Sequence, residues 1–269
     1  MRRYMKSKKR LLIITVLLGL SLTISGCSME KKEKIPQYEG WKTYTYRHFV
    51  FYYPADSYWG KKMDSFSSAY ERYLQEDCGF LGIDLPVDTI HFYIHAGGEE
   101  GRKLTGRDLP FHTKHQIHWD RMPPFGLELA KFLIDRMGIR ETDYSVLYDG
   151  LAVLRDYSGE DYHHNASALI EMREYIPLDT LVNNESYARQ NKHYREWEAA
   201  SLVAFITFNY GINRFKMLWQ STASFDKSVK DLFSIDMKTF EEKWLEFAKQ
   251  YFKGIQKEVI YQDSTALKK

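Results

Sequence analysis

Near residue 120 the period of the apolar residues changes, and that change sets what the chain can fold into. Before it, "DTIHFYIH" (residues 88–95) alternates strictly, with Ile90, Phe92 and Ile94 on one face and His91, Tyr93 and His95 on the other. Period two belongs to a strand. "HFVFYY" (48–53) is β-prone and stops at Pro54, and a third strand is expected around "HQIHW" (115–119). Between 61 and 76, Met63, Phe66, Tyr70, Tyr73 and Leu74 form one helical stripe. The glycine-rich, charged stretch from Gly97 to Pro110 reads as a loop. The outward faces of the alternating strands, His91 and His95 included, are expected to meet solvent.

From Pro124 onward the spacing is helical. Pro123-Pro124 suits a helix start and Gly138 a stop. Further helices are expected over 144–157, 160–175 and 194–210, with a break at Pro177 and a turn at Gly211. Two or three short helices follow, the last carrying Phe240, Trp244, Phe247 and Tyr251. The expected fold class is therefore α+β: a small N-terminal strand-helix-strand sheet, then an all-helical half. The boundaries fall at 41–120 and 121–255, with a C-terminal tail at 256–269. An aromatic content of 16% favours a large core.

The first residues read as an address. Arg2, Arg3, Lys6, Lys8, Lys9 and Arg10 precede an apolar run over 11–20, and "LTISGC" then ends at Cys27. Ser25 and Gly26 before a cysteine resemble a bacterial lipobox, which implies a signal peptide over 1–26 and lipidation of Cys27. Residues 27–40 would form a solvated tether. Six of the 38 Lys and Arg leave with residues 1–26, and no Asp or Glu does, so 32 face 36 and the charge moves from +2 to −4. A weakly acidic domain without a basic stripe makes a poor nucleic-acid binder. With Cys27 lipidated, Cys78 is the one thiol left, too few for a disulfide, and is expected to be a buried apolar residue.

The stretch at 123–157 holds Glu128, Lys131 and Asp149 inside apolar runs, and a charge there needs a partner. "LELAK" (127–131) and "LYDGLA" (147–152) fall on a known pair of patterns, roughly H-E-x-x-H in one helix and W-x-x-E-G-x-A in the next. On these residues the chain resembles the peptidase MA-like (gluzincin) zinc metallopeptidases. "IPLDTL" (176–181), "AASLVAFITFNYGINRFKML" from Ala199 and "DMKTFEEKWLEF" from Asp236 follow in the family's order. The resemblance makes Glu128 the counterpart of the general base, and Gly150 and Ala152 the small residues after the third ligand.

The ligand positions depart from the family. Leu127 and Lys131 stand where the resemblance expects histidine, and Asp149 where it expects glutamate. Leucine offers no lone pair, and a protonated lysine repels a dication. Glu128 and Asp149 fall short of a three-ligand catalytic zinc site. No metal or other cofactor is expected, and metallopeptidase chemistry should be absent. The expected remnant is a vestigial cleft in which Lys131 lies near Asp149 or Glu128, its ammonium in the charge role of the ion.

His112, His115 and His118 do not converge if they share one strand, since 112 and 118 then face one way and 115 the other. The resemblance puts the cleft edge at the strand before the first site helix, which makes His118, with its neighbour Trp119, and Gly150 the candidate cleft-lining residues. His163 and His164 are expected at the surface. The chain has no G-x-S-x-G elbow, P-loop or G-x-G-x-x-G motif. The function expected is a lipid-anchored, extracytoplasmic domain that binds a peptide or an envelope protein without cutting it. The alternatives are zinc-independent hydrolysis by Glu128, Asp149 and His118, or a structural part in envelope assembly.

Overall fold

The computed structural model describes residues 36–120 and 125–250. Expectations for the signal peptide, Cys27, Pro123-Pro124, Tyr251 and the tail lie outside the described residues. The protein is mixed α/β, a five-stranded sheet near the N-terminus followed mostly by helices.

Strands β1 (Trp41–Tyr46) and β2 (Phe49–Pro54) form a hairpin, turned at Arg47 with φ of 46°. Helix α1 (Met63–Leu81) crosses over to β3 (Ile90–Ile94), which lies parallel to β2. Helix α2 (Gly98–Thr105) precedes a short hairpin of β4 (Phe111–His112) and β5 (Gln116–Trp119). The sheet order is β1-β2-β3-β5-β4, with β3 and β5 parallel and β4 antiparallel to β5.

Side-chain alternation divides the sheet into two faces. Phe51, Phe92 and Ile117 are neighbours in register and carry the core face. Helix α1 covers it with Phe66, 5.6 Å from Phe51, and Tyr70, 4.7 Å from Phe92. The opposite face is partly to fully buried, contrary to the expectation of solvent: Tyr93, His95 and His118 are buried, and Tyr52, His91 and Phe111 are half-buried. Tyr52, Tyr93, His118 and Phe111 stack across four strands at successive centroid distances of 4.5 Å. The Arg107 guanidinium lies 4.0 Å above Phe111 and closes the row. His95 is fully buried, edge-on to Trp41 and Tyr38, because the chain before β1 folds over this face.

Two expectations for the N-terminal half need correction. Strand β1 was not anticipated, although "WKTYTY" alternates. The stretch expected to be a loop contains α2, whose Glu99 and Glu100 open it and whose Arg102 and Lys103 close it. That order of charges suits the helix dipole and outweighs the glycines.

The helical part comprises α3 (Leu127–Ile134), α4 (Ser145–Leu154), α5 (Tyr162–Met172), α6 (Leu178–Leu181), α7 (Asn184–Arg189), α8 (Lys192–Tyr210), α9 (Ile212–Trp219) and α10 (Phe225–Phe233). Residues 237–250 are helical too, and are termed α11. Helix α3 ends at Ile134, short of Gly138, although that glycine does take positive φ (67°). Helix α8 is the hub, buried along Ala199, Ala200, Leu202 and Val203. Helix α4 lies against it at Gly150, where an added Cβ would stand 2.4 Å from the Ala199 carbonyl oxygen. From α11, Trp244 donates its indole N–H to Ser201 of α8 at 3.2 Å. Arg155, after α4, pairs with buried Asp77 of α1 at 2.7 Å and ties the helices to the sheet layer. Among the described residues, no helix is long and apolar enough to cross a membrane.

Candidate functional site

The start of α3 is fixed from two sides. Tyr70 of α1 donates its hydroxyl to the Phe125 carbonyl, and the Gly126 N–H donates to the Asp156 carbonyl at 2.7 Å. The Asp156 carbonyl lies so near that a Cβ on Gly126 would approach it to 2.8 Å. This anchoring presents Glu128, in the first turn of α3, to the core face of the β4–β5 hairpin. His112 pairs with Ile117 in register, so its ring shares that face and meets Glu128.

A line of polar groups results. Lys131 Nζ donates to Glu128 Oε1 at 2.9 Å, and His112 Nδ1 donates to Glu128 Oε2 at 3.1 Å. His112 Nε2 donates to Asp135 Oδ2 at 2.8 Å, and the Tyr148 hydroxyl of α4 donates to Asp135 Oδ1 at 3.3 Å. Glu128 is 5% exposed, so its charge depends on these partners. Burial opposes its ionisation, but the hydrogen bonds and charges of His112 and Lys131 outweigh that and hold the carboxyl below its ordinary value. Burial likewise disfavours the His112 imidazolium, yet Asp135 and Glu128 raise it to about 9. His112 is thus a locked cation at neutral pH. The Tyr148 phenol is pushed well up by burial and by the carboxylate of Asp135.

Two clefts meet at Asp135. One, of about 640 Å³, lies beside β4 and is lined by Asp88, His112, Thr113, Phe132 and Arg136 among others. The other, of about 420 Å³, is acidic, with Glu141, Asp143, Tyr148 and Asp149 on its wall.

The residues singled out in the sequence are distributed as follows. Leu127 and Lys131 stand one turn apart on α3, with Leu127 packed against the core. Lys131 pairs with Glu128. Asp149 follows on α4, but its hydrogen bond comes from the Tyr187 hydroxyl of α7, at 3.1 Å. Gly150 is buried between α4 and α8 and lines neither cleft; its smallness serves the helix contact. Trp119 is 2% exposed and stacks on Phe66 at 5.7 Å, also away from the clefts.

His118 belongs to the other face of the sheet from Glu128 and is 3% exposed. Its Nδ1 meets His95 Nε2 at 3.0 Å and its Nε2 meets the Gln116 side-chain oxygen at 3.2 Å. Burial and the neighbouring His95 press its basicity down to about 3, and burial alone takes His95 to about 4. His112 and His118 also do not share a face, because a turn between them makes two strands of one expected strand. His163 is half-buried and bonds to Ser201 at 2.9 Å, which corrects its surface assignment. Cys78 is buried and its thiol is pushed up to about 11 by burial, so it is a packing residue and a poor nucleophile.

Asp135 and Tyr148 were missed in the sequence, and His112 was weighed there only as one of three histidines, not as a partner of Glu128. Glu128, Lys131 and Asp135 stand at i, i+3 and i+7, a spacing that puts all three on one helix face. His112 gave no such signal, since its position depends on the turn to β5. Among the described residues, no three His, Cys, Asp or Glu side chains come together in a way that could hold a metal ion. Chemically, the arrangement is a carboxylate whose two oxygens are each occupied by a cation. Comparison with family models, with curated proteins and with solved structures finds no match.

Proposed function

We propose that this chain is a lipoprotein anchored by Cys27 outside the cytoplasm of a bacterium, and that its domain is a degenerate gluzincin that binds a peptide without cutting it. "LELAK" on α3 and "LYDGLA" on the next helix, behind an N-terminal sheet, support the resemblance. The observation that carries the non-catalytic reading is the double occupation of Glu128 by Lys131 and His112. A general base must take a proton from water, and a carboxylate held low in basicity between two cations does so poorly. Two monovalent cations here take the charge role that a divalent ion has in active relatives. Hydrolysis through Glu128 and His118 is disfavoured, because the sheet separates them.

The cleft beside β4 supports a peptide as the ligand. Among the described residues β4 ends the sheet, and an extended chain pairs readily with such an edge. Incubation of the purified protein with a peptide mixture, read by mass spectrometry and by equilibrium binding, tests this reading. Saturable binding without fragments is expected; fragments that disappear in Glu128→Gln would refute it. For the anchor, Cys27→Ala should abolish metabolic lipid labelling, and unchanged labelling would remove the lipoprotein assignment.

A further inference from the structure

The chain that enters the domain is laid over a pair of buried histidines. The rings of Tyr38 and Trp41 stand 6.1 and 5.2 Å from that of His95, and Tyr93 donates its hydroxyl to the Pro36 carbonyl at 3.3 Å. The Trp41 N–H turns back to the Tyr38 carbonyl at 3.3 Å, and the Ala55 N–H reaches the Gly40 carbonyl at 3.2 Å. A short segment held by so few bonds opens at much lower cost than the core.

Beneath it, the histidine pair has no place for an added proton. His118 Nε2 donates to the Gln116 side-chain oxygen at 3.2 Å, so its Nδ1 is an acceptor. His95 Nε2 is then the donor in the 3.0 Å bond between the rings, and His95 Nδ1 carries only a lone pair. That Nδ1 is buried with no hydrogen-bond partner among the described residues. A proton placed on it would make a buried cationic N–H without an acceptor, and one placed on His118 Nδ1 would break the bond between the rings.

The surroundings offer little compensation. Tyr38 and Trp41 face His95 from the entering chain, and Tyr93 and Phe111 stack on the two sides of His118. Arg107 adds a like charge near His118, and Glu100 of α2 accepts the Ala96 N–H and acts on Tyr38. Farther along the same face, His91 meets the Tyr52 hydroxyl. Both rings of the pair are accordingly neutral while the segment covers them.

We propose that residues 36–41 form an acid-released clasp, in which proton uptake at His95 frees the chain entering the domain and bares the aromatic face of the sheet. Undocking of Tyr38 and Trp41 wets His95 and returns it to the ordinary histidine range, near pH 6.5. The open form then takes up a proton that the closed form refuses, so its population rises about tenfold for each pH unit below that value.

The test is site-resolved amide exchange by NMR on the full chain between about pH 7 and pH 5, corrected for the intrinsic pH dependence of exchange. Protection of the Trp41 N–H should fall about tenfold from pH 6 to pH 5, while Leu202 and Val203 of α8 stay protected. His95→Gln can still donate to His118 but does not titrate, and its Trp41 protection should be flat over the same range. Constant Trp41 protection in the parent, loss in step with α8, or an unchanged pH dependence in His95→Gln would each overturn the clasp. If His95→Gln does not fold, the His95 ring of the parent decides. Its protonation should track the loss of Trp41 protection, and a ring that titrates while Trp41 stays protected overturns the proposal.

Discussion

Glu128 shows how a charge inside an apolar helix is accommodated. Lys131, one turn on, supplies one cation and His112, from the edge strand, the other. Removing either leaves a buried carboxylate with half of its compensation. Lys131→Met should destabilise the fold by roughly 1–3 kcal/mol, the usual effect of stranding a buried polar group. Adding Glu128→Gln to that variant should recover most of the loss, because the charge that needed Lys131 is gone. Denaturant unfolding of the two single variants and the double variant reads this directly. Additive losses would mean that Lys131 and Glu128 do not act as a pair.

Among the elements, Gly150 sets how closely α4 approaches α8. Gly150→Ala would force the two helices apart at the Ala199 carbonyl, with an expected loss of roughly 1–3 kcal/mol from overpacking. An unchanged melting temperature would contradict the close approach. The long helices were legible, α1 from a stripe that persists over several turns and α8 from the length of its apolar run. The strand at 90–94 was equally legible from its alternation. Short elements were not: α2 was masked by its glycines, and the two-residue β4 has no period at all. The site divided in the same way. Glu128 and Lys131 are close in sequence and could be paired there, whereas His112 reaches them only through a hairpin turn. Lys131 was expected near Asp149 or Glu128; it pairs with Glu128, and Tyr187, 38 positions on from Asp149, bonds to the Asp149 carboxylate.

For the whole molecule, stability should depend on pH through groups far apart in the fold. Glu198 of α8 is fully buried and accepts the Ile176 N–H through both oxygens at 3.0 Å, and burial pushes its carboxyl up to about 8. His112 is raised to about 9. Between about pH 6.5 and these values, the folded protein holds protons that the unfolded chain has released. The stabilisation from His112 is complete below about pH 6.5 and is lost as the pH rises through 9. Glu198 adds a loss of the same sign up to about pH 8. His95 and His118 are depressed and act only below about pH 6.5, with the opposite sign. The melting temperature should therefore fall from pH 6.5 to pH 9, and Glu198→Gln should flatten the lower part of that fall. A melting temperature that rises over this window would contradict both assignments.

Glu128, held between two cations, is not a free base. The most direct measurement is a pH titration of the His112 ring nitrogens by NMR in the intact protein. Both Nδ1 and Nε2 should carry protons at pH 7, with deprotonation centred near pH 9 and moved towards the ordinary histidine range by Glu128→Gln. A His112 that is neutral at pH 7, titrates near pH 6.5 and is unaffected by Glu128→Gln would contradict the account.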